Sequence, residues 1–219
     1  MFRLLCVLIG YAFGLFQTAF ILGKIKGIDI RTVGSGNAGT TNTLRVLGTK
    51  AGIIVFAGDC IKCVLASVLC TLIFSGNHPE SLYLIKLYAG LGAILGHNFP
   101  FYLKFKGGKG IACTAGMIFS FDLWFSIVGL TIFFGLFFIT HYVSLGSLMM
   151  YPYILVMEII LGINGYFYNK CGCTTPILIE MCCVTVILLL LTTFMHRANI
   201  KRLFSHTERK TYLSKKNQV

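Results

Sequence analysis

The chain has 219 residues, 56% of them hydrophobic and only 12% charged, with 19 Lys and Arg against 7 Asp and Glu. Soluble domains carry about 25% charged residues and disorder needs low hydrophobicity, so both are excluded and a polytopic helical membrane protein remains. A net charge of +12 then points to positive cytoplasmic loops and an anionic ligand, with no nucleic-acid partner expected.

A bilayer core takes about 20 mostly apolar residues per helix. Residues 4–23 supply the first span: the stretch is too long for the apolar part of a signal peptide, and no small-residue cleavage site follows it. Residues 51–74 form the second, interrupted by Asp59 and Lys62, and residues 82–95 the third, with Lys86 inside. Residues 111–140 hold one charge, Asp122, and are too long for one straight helix, so two spans turned at 120–123 are predicted. Residues 142–161 and 176–195 complete an expected all-α fold of seven transmembrane helices.

Of the 19 basic residues, 15 fall in residues 24–50, residues 96–110 and the segment from 196 onward. The alternating connections at 75–81 and 120–123 carry none, and 162–175 carries only Lys170. Positive loops stay in the cytoplasm, which sets the N-terminus outside and the C-terminus inside. A five-span arrangement that breaks the middle differently keeps the same sidedness. One domain covers 1–219, with 206–219 expected as a flexible polar cytoplasmic tail. The nine cysteines do not make a disulfide framework: the number is odd, and most lie in apolar runs where Cys behaves as a small hydrophobe.

The first basic segment runs from Val33 through Gly34, Ser35, Gly36, Asn37 and Gly39 to Thr40, Thr41, Asn42 and Arg45. Its glycine spacing matches a dinucleotide fingerprint formally, but a membrane helix precedes it where a strand belongs. What survives is a loop whose glycines permit close backbone approach, with neutral donors and a guanidinium suited to phosphate. Alone, it reads as a helix-capping turn.

The second segment holds Gly96, His97, Pro100, Lys104, Lys106, Gly107, Gly108, Lys109 and Gly110. It is not a P-loop, because 103 is Leu and 110 is Gly. Glycines and lysines ahead of a helix starting near Ile111 still make an anion cradle, with amides and the positive helix end aimed at one spot. The alternative is a linker whose lysines only set topology.

The third segment opens with His196, Arg197, Asn199, Lys201 and Arg202. His196 and Asn199 are three apart and share a helical face. A stop signal or a lipid head-group contact accounts for the cations but not for His196 or Asn199. All three segments are expected at one membrane face. A transporter would show inverted repeats and broken helices at mid-membrane, and no repeat is visible.

These motifs, in this order, resemble the bacterial acyl-phosphate:glycerol-3-phosphate acyltransferases of the PlsY type. Ser-Gly-Asn-x-Gly-x-Thr-Asn-x-x-Arg is met by Ser35 through Arg45. Gly-His-x-x-Pro followed by Phe-Lys-Gly-Gly-Lys-Gly is met by Gly96, His97, Pro100 and Phe105 through Gly110. His-Arg-x-Asn-Ile-x-Arg-Leu followed by Glu is met by His196 through Leu203 and Glu208. Asp59 with Lys62, and Tyr142 through Leu145, are shorter matches. Two positions depart: His206 stands where the family usually has glycine, and His141 where an Arg often precedes the Tyr-Val-Ser-Leu run.

The resemblance implies transfer of a fatty acyl group from acyl phosphate to the sn-1 hydroxyl of glycerol 3-phosphate, in phospholipid biosynthesis at a bacterial inner membrane. The implied catalytic residues are Ser35, Arg45, His196 and Asn199. The implied substrate-binding residues are Lys106, Gly107, Gly108, Lys109, Gly110, Asn37, Thr41, Asn42 and Ser144. His196 is either a general base, with an ordinary pKa near 6.5, or a hydrogen-bonding partner in a substrate-assisted reaction. No metal or cofactor is expected, the partners are the two substrates and membrane lipid, and the working unit is expected to be a monomer. The His-x4-Asp acyltransferase signature is absent, because no His is followed by Asp five positions on.

Overall fold

A computed structural model describes residues 1–213, and every regular element among them is helical. In chain order these are α1 (Phe2–Gly14), α2 (Thr18–Ile25), α3 (Thr40–Leu47), α4 (Thr49–Phe74), α5 (Leu82–Asn98) and α6 (Ile111–Phe121). They continue with α7 (Leu123–Thr140), α8 (Val143–Ile163), α9 (Tyr166–Cys171), α10 (Thr175–Met195) and α11 (Arg197–Phe204). Five stretches are long and apolar enough to cross a membrane: Phe2–Ile25, Thr49–Phe74, Leu123–Thr140, Val143–Ile163 and Thr175–Met195. Of the other two expected spans, α5 has 17 residues and α6 only 11, about 16 Å of helix at 1.5 Å per residue.

The long apolar stretch after residue 110 breaks within the expected turn. Asp122 is extended and caps α7 by accepting from the Trp124 amide at 3.3 Å. The first stretch, expected as one helix, breaks at Gln17. That buried side chain donates to the carbonyls of Gly14, Gly96 and His97, while the freed Phe16 and Leu15 carbonyls accept from Lys62 and Tyr102. Nothing in the local pattern 4–23 signals this break, because its cause is α5 and α4 packing alongside.

Small residues bring α1 and α5 together. A Cβ at Gly10 or Gly14 would overlap the Ala89 or Ala93 carbonyl, and one at Gly92 or Gly96 would overlap the Val7 or Tyr11 carbonyl. Such four-residue spacing of small side chains lets membrane helices approach by their backbones. It also delivers the end of α5, and with it His97, to the base of the second basic loop.

The main core is an apolar cluster that includes Leu84, Leu87, Ile94, Met117, Phe125, Tyr151 and Leu188, all buried, and a smaller one of Ala19, Ile30, Ala38 and Val55 lies by the first basic loop. Exposed Leu72, Ile139, Ile163 and Leu190 face outward from the bundle, as a lipid-facing surface requires. At the end away from the basic loops, Arg3 pairs with Glu180, which also accepts from Tyr88 at 2.7 Å, and Asp122 meets Tyr166. Inside the bundle the buried Glu158 accepts from Thr185 at 3.0 Å.

Candidate active site

The first loop is braced from within. Asp29 accepts from the Arg31 guanidinium at 2.7 Å, and this bond holds its carboxyl down at about 2. Arg31 also reaches the Leu103 carbonyl at 3.4 Å, tying the first basic segment to the second. Gly34 and Gly36 take φ 62 and 71, a region glycine enters at little cost. Asn42 was expected to bind substrate, but its whole amide is turned into this loop. Nδ2 donates to the Ile30 and Val33 carbonyls, and Oδ1 accepts from the Ser35 amide at 2.7 Å. A buried amide side chain must find partners, and the loop carbonyls are nearest.

The second loop corrects the expected cradle. The amides of Gly107 and Gly108 do not face an anion: they donate to the Asn98 and His97 carbonyls, each at 3.1 Å, and so cap the end of α5. Among the described residues, the amides of Lys109 and Gly110 have no partner. The run of free amides therefore begins at Lys109 and continues into the first turn of α6, where Gly110 is the N-cap at φ 81.

Beneath this loop lies a closed ionic network. Lys62 Nζ donates to Asp59 Oδ1 at 2.9 Å, to the Phe16 carbonyl at 2.7 Å and to His97 Nδ1 at 2.9 Å. An ammonium only donates, so Nδ1 of His97 is the acceptor and its proton sits on Nε2. Nε2 faces Gly108 so closely that a Cβ there would overlap it, and would also stand 2.9 Å from the Ala38 carbonyl of the first loop. Only glycine fits at 108.

The third segment closes the site. His196 ends α10 and Asn199 lies on α11; both are buried. Lys109 donates to Asn199 Oδ1, and Asn199 Nδ2 donates to Glu208 Oε1 at 2.7 Å. Glu208 further accepts from Ser144 Oγ at 2.9 Å and from Arg202 Nε at 2.7 Å. Burial alone would raise the Glu208 carboxyl, but these three donors outweigh it and hold it below its ordinary value. Arg45 Nη2 donates to the Arg209 carbonyl at 3.1 Å and to Thr211 Oγ1 at 2.5 Å.

The electrostatics favour an anion. Burial, followed by repulsion from Arg202, lowers the Lys109 pKa to about 8. Burial and the charge of Lys109 lower His196 to about 4. His196 Nδ1 lies 2.9 Å from the Thr192 carbonyl, which can only accept, so the neutral ring carries its proton on Nδ1 and leaves Nε2 as an acceptor. Lys109, Arg45, Arg202 and Arg197 share the site's field with one carboxylate, Glu208, which is already bonded on both oxygens.

Of the expected residues, Lys109, Asn199 and Ser144 thus join one bonded cluster through Glu208, with His196 and Arg45 beside it. Ser35 and Lys106 are exposed, Asn37 and Thr41 are half-buried, and no side-chain bond joins any of the four to that cluster. Glu208 and Thr211 were not among the expected site residues. Glu208 had a signal, as the one acid in a basic tail; Thr211 had none. The expected polar tail, at 206–213, instead folds back onto the site; residues 214–219 lie outside the described part.

Comparison with known proteins places this geometry. The glycerol-3-phosphate acyltransferase family profile matches residues 4–206. The glycerol-3-phosphate acyltransferase of Bacillus subtilis (strain 168) is 38% identical over 94% of this chain and 96% of its own. That of Thermoanaerobacter pseudethanolicus is 40% identical over the full length of both. Two crystal structures of PlsY (YgiH), an integral membrane glycerol 3-phosphate acyltransferase, match over 96% of both chains. The glycerol 3-phosphate form gives a TM-score of 0.78 at 30% identity, and the lysophosphatidic acid form gives 0.77 at 28%. This chain, an integral membrane protein with its basic motifs gathered at one end of a helical bundle, belongs to the glycerol-3-phosphate acyltransferase family.

Proposed function

We propose that the protein transfers a fatty acyl group from acyl phosphate to the sn-1 hydroxyl of glycerol 3-phosphate. The hydroxyl oxygen attacks the acyl carbon, the bond from that carbon to the phosphate oxygen breaks, and lysophosphatidate and phosphate leave. The observation that carries this reading is the setting of Lys109: half-buried, ringed by Arg45, Arg202 and Arg197, and facing one carboxylate whose oxygens are occupied. Two phosphate-bearing substrates supply the missing negative charge. Acyl phosphate is already activated, so positioning and charge stabilisation carry most of the rate.

Lys109, with its amide, that of Gly110 and the α6 N-terminus, holds the phosphate of glycerol 3-phosphate. Gly107 and Gly108 shape that loop, and Lys106 adds charge at its edge. Arg45 and Ser35 bind a substrate phosphate, with Asn37 and Thr41 as neutral donors beside them and Asn42 bracing their loop. Asn199, oriented by Glu208 and through it by Ser144, and His196 line the reaction centre. With its pKa near 4, His196 is a poor base, and Nε2 serves as a hydrogen-bond acceptor for the attacking hydroxyl. The proton then goes to an oxygen of the departing phosphate.

The site faces the cytoplasm of a bacterial inner membrane, with seven crossings and the N-terminus outside. Parity supports this count. The three basic segments meet, so the chain between 110 and 196 crosses an even number of times; α7, α8 and α10 are three, and α6 is the fourth despite its length. The protein acts as a monomeric single domain.

The test is an acyl-transfer assay in detergent comparing acyl phosphate with acyl-carrier-protein and coenzyme A thioesters. Phosphate release from acyl phosphate that depends on added glycerol 3-phosphate is the expected result. Preferential use of a thioester would refute the donor. Uptake of labelled glycerol 3-phosphate into liposomes without chemistry would refute the enzyme reading. Substantial turnover by His196→Gln across the pH range is expected of a substrate-assisted reaction.

A further inference from the structure

Arg45 is gripped from one side. Its Nη2 donates to Thr211 Oγ1 at 2.5 Å and to the Arg209 carbonyl at 3.1 Å, which uses both hydrogens on that nitrogen. Among the described residues, Nε and Nη1 have no protein partner, so the remaining donors of the planar fork are left for a ligand. Thr211 is only 1% exposed, and its own amide donates to the His141 carbonyl at 2.9 Å. The chain reaches this position through a turn at His206, φ 56, and docks beside His141, φ 60, whose ring lies 4.6 Å from that of Tyr212. The family profile ends at 206, short of Thr211, while the Thermoanaerobacter pseudethanolicus relative matches over the full length of this chain.

We propose that Thr211 is a positioning residue, holding the Arg45 guanidinium by one nitrogen so that its opposite edge is pre-aimed at a substrate phosphate. The proposal rests on the reading of Arg45 as a phosphate-binding residue. Both groups that hold Nη2 are neutral. They fix the fork without cancelling its charge, whereas a carboxylate there would compete with the phosphate. A long arginine side chain otherwise loses rotamer freedom when ligand binds, and fixing it beforehand removes that cost from binding. The segment around Thr211 thereby joins α3 to the α7–α8 junction above the site.

The experiment uses the full chain in detergent with palmitoyl phosphate and glycerol 3-phosphate, measuring KM for each substrate, kcat and the thermal midpoint. Thr211→Val removes the hydroxyl with little change of shape. It is expected to raise KM for one substrate by about tenfold while kcat stays within about twofold and the midpoint holds. Thr211→Ser is expected to restore the native KM. In an Arg45→Gln background, Thr211→Val should add nothing further. An unchanged KM in Thr211→Val, beside a large rise in Arg45→Gln, overturns the proposal and leaves the reading of Arg45 intact. No effect of Arg45→Gln overturns that reading and the proposal with it. A fall in KM would mean that the segment competes with substrate for Arg45, and a joint loss of kcat and midpoint would mean a structural role; either overturns positioning.

Discussion

Two lysines, one buried and one half-buried, sit in neighbouring parts of this molecule under opposite conditions. Lys62, 4% exposed, gives its three N–H groups to Asp59, His97 and the Phe16 carbonyl. Lys109 bonds one side-chain acceptor, Asn199, and its charged neighbours are mostly other cations. Both are basic side chains at least partly withdrawn from water, Lys62 fully and Lys109 by half, so charge does not separate them and burial does so only in degree. Unused donor capacity does: Lys62 is saturated and holds the loop up from below, while Lys109 projects from that loop with donors left over.

The sharpest way to break this comparison is Lys62→Met. It leaves Asp59 buried without its cation and should cost roughly 3–5 kcal/mol, read as a lower thermal midpoint and less folded protein in detergent. A variant that melts within a few degrees of the native chain would show that Lys62 is not structural. Lys109→Met should do the reverse, lowering kcat/KM by about 10²–10³-fold, as loss of one charge-stabilising donor does, with the midpoint nearly unmoved. Equal damage to folding and turnover would erase the distinction.

Acidity sharpens the contrast further. Lys109 titrates near 8, below the ordinary lysine value, so it is charged below that pH and loses its proton as pH rises through it. The KM for glycerol 3-phosphate is therefore expected to stay flat near neutrality and to climb by up to about tenfold per pH unit above 8. His196, near 4, stays neutral throughout this range and adds no break of its own. A KM independent of pH up to about 10, the ordinary lysine range, would show that Lys109 keeps its proton there and that its setting does not lower its pKa. The smallest effect concerns the turn into the C-terminal segment: His206→Gly should relieve a left-handed residue and raise stability by roughly 0.5–1 kcal/mol, seen as a slightly higher midpoint.

Much of this architecture was readable from the order of residues. Apolar runs located the long helices, and Asp122, alone in an apolar stretch, lay within the predicted turn. The three basic segments carried Arg45, Lys109, His196 and Asn199 to where the structure gathers them. Asn42 and the Gly107–Gly108 pair read differently in the structure because a donor's identity does not say who receives its hydrogen. Asn42 faces its own loop and the two glycine amides cap α5, so these donors are taken up within the fold. Glu208 organises Asn199, Ser144 and Arg202 from a position that composition alone assigned to a loose tail.

The sequence by itself determined a helical membrane protein, the chemistry its basic loops offer, and its family, since these follow from hydrophobic runs and from side-chain types at fixed spacing. Only the tertiary structure decided which of those groups remain available: the break at Gln17, the saturation of Lys62, the opening at Lys109 and the grip of Thr211 on Arg45. The physical reason is that hydrogen bonds are finite. Whether a donor binds substrate or holds the fold depends on which distant carbonyl or carboxylate packs against it, and that pairing is made between helices, not within them.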